Sequence, residues 1–309
     1  SGKTGSAINI PLSNAEHVRY GVKTIPPATG SAGGRVLDMP VELSSFGWLS
    51  HHKVRSTPTL PGAWILDCMV NAALRFRPDA VHLTSATVQD ATFHRFVRIS
   101  AGQEPNLRVI AAEQADGIAV WMIGDVLHPS GVLLRKDVVY AEASVLLEGG
   151  DAALQPSLQE VGFPSQSNLI RMERDPYCSG GSKDVELSGP FDCVRDIAIG
   201  AWGRCARYVP TQTDQLTGVI PALLVDSAWR VGAMFAIPGS DELYVPVRIG
   251  RLTTPVGPSA SDCLKSDWEI RTTAPRLENG RVRWDRTEVC NALGGLKLVV
   301  EDACASPLR

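Results

Sequence analysis

The sequence predicts an α+β fold built twice over, each half carrying one long apolar helix followed by antiparallel strands. Three observations predict it. Apolar stretches at helix spacing open at two places, one after Pro61 and one beside Pro221. Behind each come short runs rich in Val, Ile, Leu and Thr, separated by turn signals. Between the two patterns the chain turns to Gly, Pro, Ser and Gln, and residues 151–168 read as a linker. The expected units are therefore 1–150, the linker 151–168, and 169–309, a duplication of architecture though not of residues.

The opening 34 residues are rich in Gly, Pro, Ser and Thr and read as an irregular lead-in or an edge hairpin. From Gly62 to Leu74 the residues Ile65, Leu66, Met69, Val70, Ala73 and Leu74 recur at helix spacing, and Pro61 sits where a helix start tolerates it. Strands are expected at Val81 to Ser85, Thr92 to Ser100, Leu107 to Glu113, Gly117 to Leu127 and Val138 to Leu147. A second apolar helix is expected from Ile220 to Phe235. Strands then follow at Glu242 to Leu252, Asp267 to Thr273, Arg281 to Arg286 and Leu296 to Glu301.

The 309 residues hold 30 Lys plus Arg against 33 Asp plus Glu, a net charge of −3, with 44% hydrophobic residues. That composition excludes disorder as the main state and gives no general field to draw in nucleic acid or anionic lipid. No apolar run approaches the roughly 18 residues of a membrane span, and no signal pattern opens the chain. A start without Met reads as a domain cut from a longer polypeptide, with Ser1 or Gly2 a cloning remnant. The seven cysteines are odd in number and lack a C-x-x-C pair, which points to free thiols in a reducing, cytoplasmic setting. All six histidines precede residue 129 while six cysteines follow it, so no zinc or other metal site is expected.

A histidine is the natural base at neutral pH. His51 and His52 lead toward the helix that opens after Pro61, where free backbone N–H groups and the positive end of the dipole can meet a polarised ligand. The alternative is a solvated His-His loop. Among the acids, Asp226 is set amid Leu223, Leu224, Val225, Ala228 and Val231, so it must be exposed at one face, paired, or held protonated. Asp67 in the first helix is its rival on the same terms.

These residues carry a family resemblance. The run from His52 to Gly62 resembles the H-x3-G-x4-P motif of dehydratase domains in type I polyketide synthases and related polyunsaturated fatty acid synthases, with Ser56 in place of the motif glycine. Ile220 to Arg230 resembles the second motif, an H-P-x-L-L-D run with Gln or His four residues past the Asp. Here the motif His is absent, Pro221 stands one residue off its usual spacing, and Arg230 replaces the Gln. Leu187-Ser188-Gly189-Pro190-Phe191 is similar to the Y-G-P-x-F segment, with Ser188 for the tyrosine. Leu243 to Ile249 resembles the strand after the Asp helix. The four matches fall in the family order across roughly residues 35 to 300.

The resemblance implies a double hot-dog fold, each half a long helix wrapped by an antiparallel sheet, with the active site where the halves meet. It implies dehydration of a β-hydroxyacyl thioester on an acyl carrier protein during polyketide or fatty acid assembly. His52 would take the α-proton and Asp226 would protonate the departing hydroxyl, while N–H groups near Gly62 would steady the carbonyl oxygen. Ser56, Pro61, Gly62, Ser188, Gly189, Pro190, Trp229 and Arg230 are the substrate-binding candidates. If the motif glycine has positive φ, Ser56 is strained by around 1 kcal/mol. An acid role for Asp226 costs roughly 4 kcal/mol relative to an ordinary carboxyl, and a guanidinium at Arg230, one helical turn on, opposes it. Arg230 is therefore expected to turn outward or bind something else anionic.

No cofactor is expected, since phosphate-loop, nucleophile-elbow and dinucleotide motifs are absent. The implied partners are the carrier protein, met by exposed Arg or Lys, the other domains of a multidomain synthase, and a second copy in a homodimer. Trp64, Trp202, Trp229 and Met69 are either core residues or the lining of an acyl tunnel. Two alternatives use the same residues: a double-bond isomerase or cyclase, and a non-catalytic dehydratase-like module.

Overall fold

The computed structural model describes residues 35–78, 82–99, 105–128, 130–149, 169–178, 180, 182, 184–211, 216, 218–234, 243–291 and 295–308. The lead-in to residue 34 and the expected linker 151–168 lie outside the described residues. In chain order the first elements are β1 (Val36–Pro40), β2 (His52–Val54), β3 (Thr57–Leu60), α1 (Gly62–Phe76), β4 (Leu83–Phe93), β5 (Val97–Arg98), β6 (Arg108–Gln114), β7 (Gly117–Leu127) and β8 (Leu133–Gly149). There follow β9 (Ile170–Arg174), β10 (Val185–Leu187), β11 (Val194–Gly200), β12 (Gly203–Tyr208), α2 (Ala222–Ala233) and β13 (Tyr244–Pro255). The chain ends with α3 (Pro258–Cys263), β14 (Trp268–Thr273), β15 (Arg276–Glu278), β16 (Arg281–Cys290) and β17 (Leu296–Pro307).

Among the described residues one sheet runs β1-β6-β7-β8-β4-β13-β17-β16-β14-β12-β11-β9, with β15 beside β16. Every pairing is antiparallel, and β4 against β13 joins the strands of the first half to those of the second. Helix α1 packs on β1, β4, β6, β7 and β8, and α2 on β12, β13, β14, β16 and β17. This is the double hot-dog expected from the resemblance. A second, small sheet, β10-β2-β3-β5, lies apart from the large one and carries His52.

Helix α1 forms because it is apolar on nearly every side: Ala63, Trp64, Ile65, Leu66, Met69, Val70, Ala72 and Ala73 are all buried. Each large side chain so buried contributes about 1.5–3 kcal/mol, which only a helix enclosed by sheet can collect. It stops at Phe76, two residues beyond the expected end, because Arg77 precedes Pro78 and is kept out of the helical region. Helix α2 is shorter than its pattern, Ala222–Ala233.

The strand predictions erred where bulges intervene. Val81 to Ser85 and Thr92 to Ser100 were expected as separate strands, yet Leu83–Phe93 is one strand. Asp90 takes φ 51° in a bulge, so polar residues pass through without breaking the pairing. Asp196 repeats the device in β11, and both aspartates meet arginines, Asp90 with Arg248 and Asp196 with Arg207.

Candidate active site

His52 opens β2 and is held on both edges. Strand β3 pairs on one side, and β10, from beyond the expected linker, on the other with Leu187 directly opposite His52. The His52 Nδ1 lies 2.7 Å from the Thr59 carbonyl oxygen. A carbonyl can only accept, so Nδ1 carries the hydrogen and the neutral ring keeps its lone pair on Nε2. The Phe191 ring centroid is 5.3 Å from that of His52, and Phe191 also packs on Trp48 and Trp64. Burial lowers the His52 pKa below its ordinary 6.5, with the Asp226 carboxylate opposing. The ring is therefore neutral at pH 7 and able to accept a proton.

Asp226 comes from α2, and its field reaches His52 from the other half of the chain. Arg230 does not turn outward, the first of its two expected placements, but binds a second anion, Asp175, while also meeting Asp226. Its Nε lies 2.9 Å from Asp226 Oδ2, and Nη1 forms an ion pair with Asp175. Nη2 donates to the Phe191 carbonyl at 3.1 Å and to Ser227 Oγ at 3.3 Å. The reason lies in Asp175, which directly follows β9 with its side chain wholly buried. A carboxylate taken out of water needs a cation, and Arg230 supplies it from the facing helix. Burial works against the guanidinium charge, yet Asp175 and Asp226 together raise the Arg230 pKa above its ordinary value.

The remaining candidates divide. Pro61 ends the approach to α1, and its carbonyl accepts the Trp64 and Ile65 N–H groups. The N–H groups of Gly62 and Ala63 are thus the ones this helix start can offer. A Cβ on Gly62 would stand 3.2 Å from both Phe93 and Trp229, so glycine is what lets α1 approach the Trp229 ring of α2. The indole N–H of Trp229 is buried with no hydrogen-bond partner among the described residues. Pro190 is buried beside Phe191 in a short turn.

Ser56, Ser188 and Gly189 each meet another residue of the chain. Ser56 occupies the tip of the β2–β3 hairpin, at the far end from His52, with φ 60° and its hydroxyl on Glu186 Oε1 at 2.9 Å. The positive φ foreseen for the motif glycine is present, so serine there carries the strain. Ser188 Oγ is 2.9 Å from His51 Nδ1, and its N–H donates to the His51 carbonyl. Gly189 has φ 55°, and a Cβ there would be 2.9 Å from His51 Nδ1. Both residues are spent on His51, the neighbour of the candidate base.

The rival acid Asp67 stitches the two helices together. Its Oδ1 accepts the Ile220 N–H at 2.9 Å, and a Cβ on Gly218 would collide with it at 2.5 Å. Burial pushes its pKa up to about 6. Trp64 and Met69 are core. All seven cysteines are free. Among the described residues no cluster of His, Cys, Asp and Glu is placed to hold a metal, and no helix is long and apolar enough to cross a membrane.

Sequence reading missed Thr59 and Asp175. Nothing local marks Thr59, whose role appears only when the hairpin closes. Asp175-Pro176 reads simply as a turn.

Comparison with known proteins agrees with this architecture. Residues 25–124 match the family model of the polyketide synthase dehydratase domain. The dehydratase domain from the CurF module of curacin polyketide synthase superposes with a TM-score of 0.68 at 15% identity, over 90% of this chain and 95% of that one. A monomeric dehydratase domain from a trans-AT polyketide synthase split module gives 0.67 at 15%, over 89% and 100%. The dehydratase domain of RzxB from Pseudomonas fluorescens gives 0.67 at 13%, over 88% and 94%. No curated protein matches the sequence. The chain therefore has the fold of polyketide synthase dehydratase domains along most of its length, and shares their sequence pattern over residues 25–124.

Proposed function

We propose that the chain dehydrates a β-hydroxyacyl thioester carried on the phosphopantetheine arm of an acyl carrier protein. The observation that carries this reading is His52: its Nδ1–H is pinned on Thr59, its lone pair is on Nε2, and Asp226 faces it from the other half. His52 Nε2 takes the α-proton, and the electron pair moves into the thioester carbonyl. The Gly62 and Ala63 N–H groups, at the positive end of α1, stabilise the oxygen as charge develops. The β carbon–oxygen bond then breaks, and Asp226 gives its proton to the departing hydroxyl, releasing water. The product is the α,β-unsaturated thioester. One proton enters at His52 and one leaves from Asp226, so solvent exchange resets the pair and no redox cofactor is needed.

The Arg230–Asp226 ion pair favours one second reading. An Asp226 kept ionised would serve with His52 as a second base, moving a double bond instead of losing water. Mass spectrometry of a β-hydroxyacyl-pantetheine or carrier-bound substrate separates the two. Dehydration removes one water, and His52→Ala or Asp226→Asn lowers the rate by at least about 100-fold while circular dichroism is unchanged. An unchanged mass with a displaced double bond supports the isomerase. No conversion of any diastereomer by the parent chain sinks both.

A further inference from the structure

We infer that Asp175 is a positioning residue for Asp226: it holds the Arg230 guanidinium off a two-point clasp and balances its charge, leaving Asp226 able to carry the proton that the reaction needs. The inference rests on the dehydratase reading above and concerns a residue outside the motifs that suggested that reading.

The geometry of the three side chains carries it. Arg230 reaches Asp226 through Nε alone, because Nη1 is committed to Asp175 and Nη2 to the Phe191 carbonyl and Ser227. The fork that would grip a carboxylate at both oxygens is thus turned to Asp175 and the backbone. An isolated buried Arg–Asp pair is neutral, and its Asp has every reason to stay ionised. A second buried carboxylate makes the fully ionised cluster carry one net negative charge, which a site closed to water resists. One proton must then reside on the pair of acids.

Hydrogen bonding decides which acid. Both oxygens of Asp175 accept from N–H donors, Oδ1 from the Tyr177 amide at 2.9 Å and Oδ2 from Arg230. Such donors favour the ionised form. Asp226 Oδ2 lies 2.9 Å from Arg230 Nε as an ion pair, yet neither atom has a hydrogen-bond partner among the described residues. Burial raises the Asp175 pKa overall, and Arg230 and the Tyr177 amide pull against it without cancelling it. The groups that face Asp226 are Arg230 on α2, His52 on β2, Asp175 after β9 and Cys193 before β11. Burial pushes the Cys193 thiol up to about 11, so it stays neutral. Asp192 adds a further negative charge toward Asp175.

Asp175→Asn, Arg230→Gln and the double variant test this against the parent chain. Two readouts are taken: the pH dependence of kcat and KM for dehydration, and the titration of the Asp226 carboxyl followed by carbon-13 NMR of labelled aspartate. Asp175→Asn should move the alkaline fall of kcat, and the Asp226 midpoint with it, to lower pH by about one unit or more. Turnover above neutrality then drops about tenfold with KM nearly unchanged. Arg230→Gln should move both upward, and the double variant should return them toward the parent. A purely structural Asp175 would lower the melting temperature and leave both midpoints in place, and that result overturns the proposal. If Asp175→Asn does not fold, the double variant must still titrate about one unit below Arg230→Gln; equal midpoints overturn it. A parent chain that dehydrates nothing removes the proposed reaction, while the NMR titration still decides the role of Asp175.

Discussion

The Phe191 ring lies 5.3 Å from the His52 imidazole, and the carbonyl of the same residue accepts from Arg230 at 3.1 Å. One residue thus joins the aromatic wall of the candidate base to the cation beside the candidate acid. Phe191 is fully buried against Trp48 and Trp64, so its placement is set by packing and not by its polar contact alone. Desolvation of His52, the main cause of its lowered pKa, depends on this wall.

Phe191→Ala should therefore act twice. Loss of the buried ring costs about 3–5 kcal/mol of stability, read by urea denaturation. Water admitted beside His52 should raise its imidazole titration toward the ordinary 6.5, read by NMR of the ring protons. A destabilised variant with an unmoved His52 titration would show that the desolvation comes from elsewhere.

Asp67 gives a pH-dependent stability with a definite sign. Its pKa is about 6 in the fold against 3.8 ordinarily. Between those values the folded chain keeps a proton that the unfolded chain has lost, so the contribution of Asp67 falls as pH rises, by about 3 kcal/mol in all. Asp67→Asn keeps an oxygen for the Ile220 N–H and removes the charge. The stability of the variant relative to the parent should rise between pH 4 and 7 by up to about 3 kcal/mol. Urea midpoints at several pH values check it, and a flat difference contradicts it.

Ser56 pays for its φ of 60° with strain of about 1 kcal/mol, set against an exposed bond to Glu186. Ser56→Gly should raise the unfolding free energy by a few tenths to about 1 kcal/mol, whereas Ser56→Ala keeps the strain, loses the bond and lowers it. Equal denaturation midpoints for the two variants would contradict a strained turn.

The two helices were legible because a buried helix writes its period into the sequence, as Ile65, Leu66, Met69 and Val70 do in α1. The long strands were legible for the same reason, except where a bulge such as Asp90 carries polar residues through. Strands β2 and β3 were not foreseen. They are short, and Arg55 and Ser56 form their tight turn with positive φ although neither is a residue that announces such a turn. The pairing of β10 with β2 escaped as well, since it joins segments more than a hundred residues apart.

His52 and Asp226 as candidates, and the conflict posed by Arg230, came from the sequence alone, because residue type and spacing along one helix determine which side chains share a face. How that conflict is resolved belonged to the tertiary structure. Asp175 meets Arg230 from 55 residues away, and the Thr59 carbonyl selects the His52 tautomer across a hairpin. Periodicity is a property of neighbouring residues, whereas the partner of a buried charge is whichever distant segment the packing of sheet and helix brings against it.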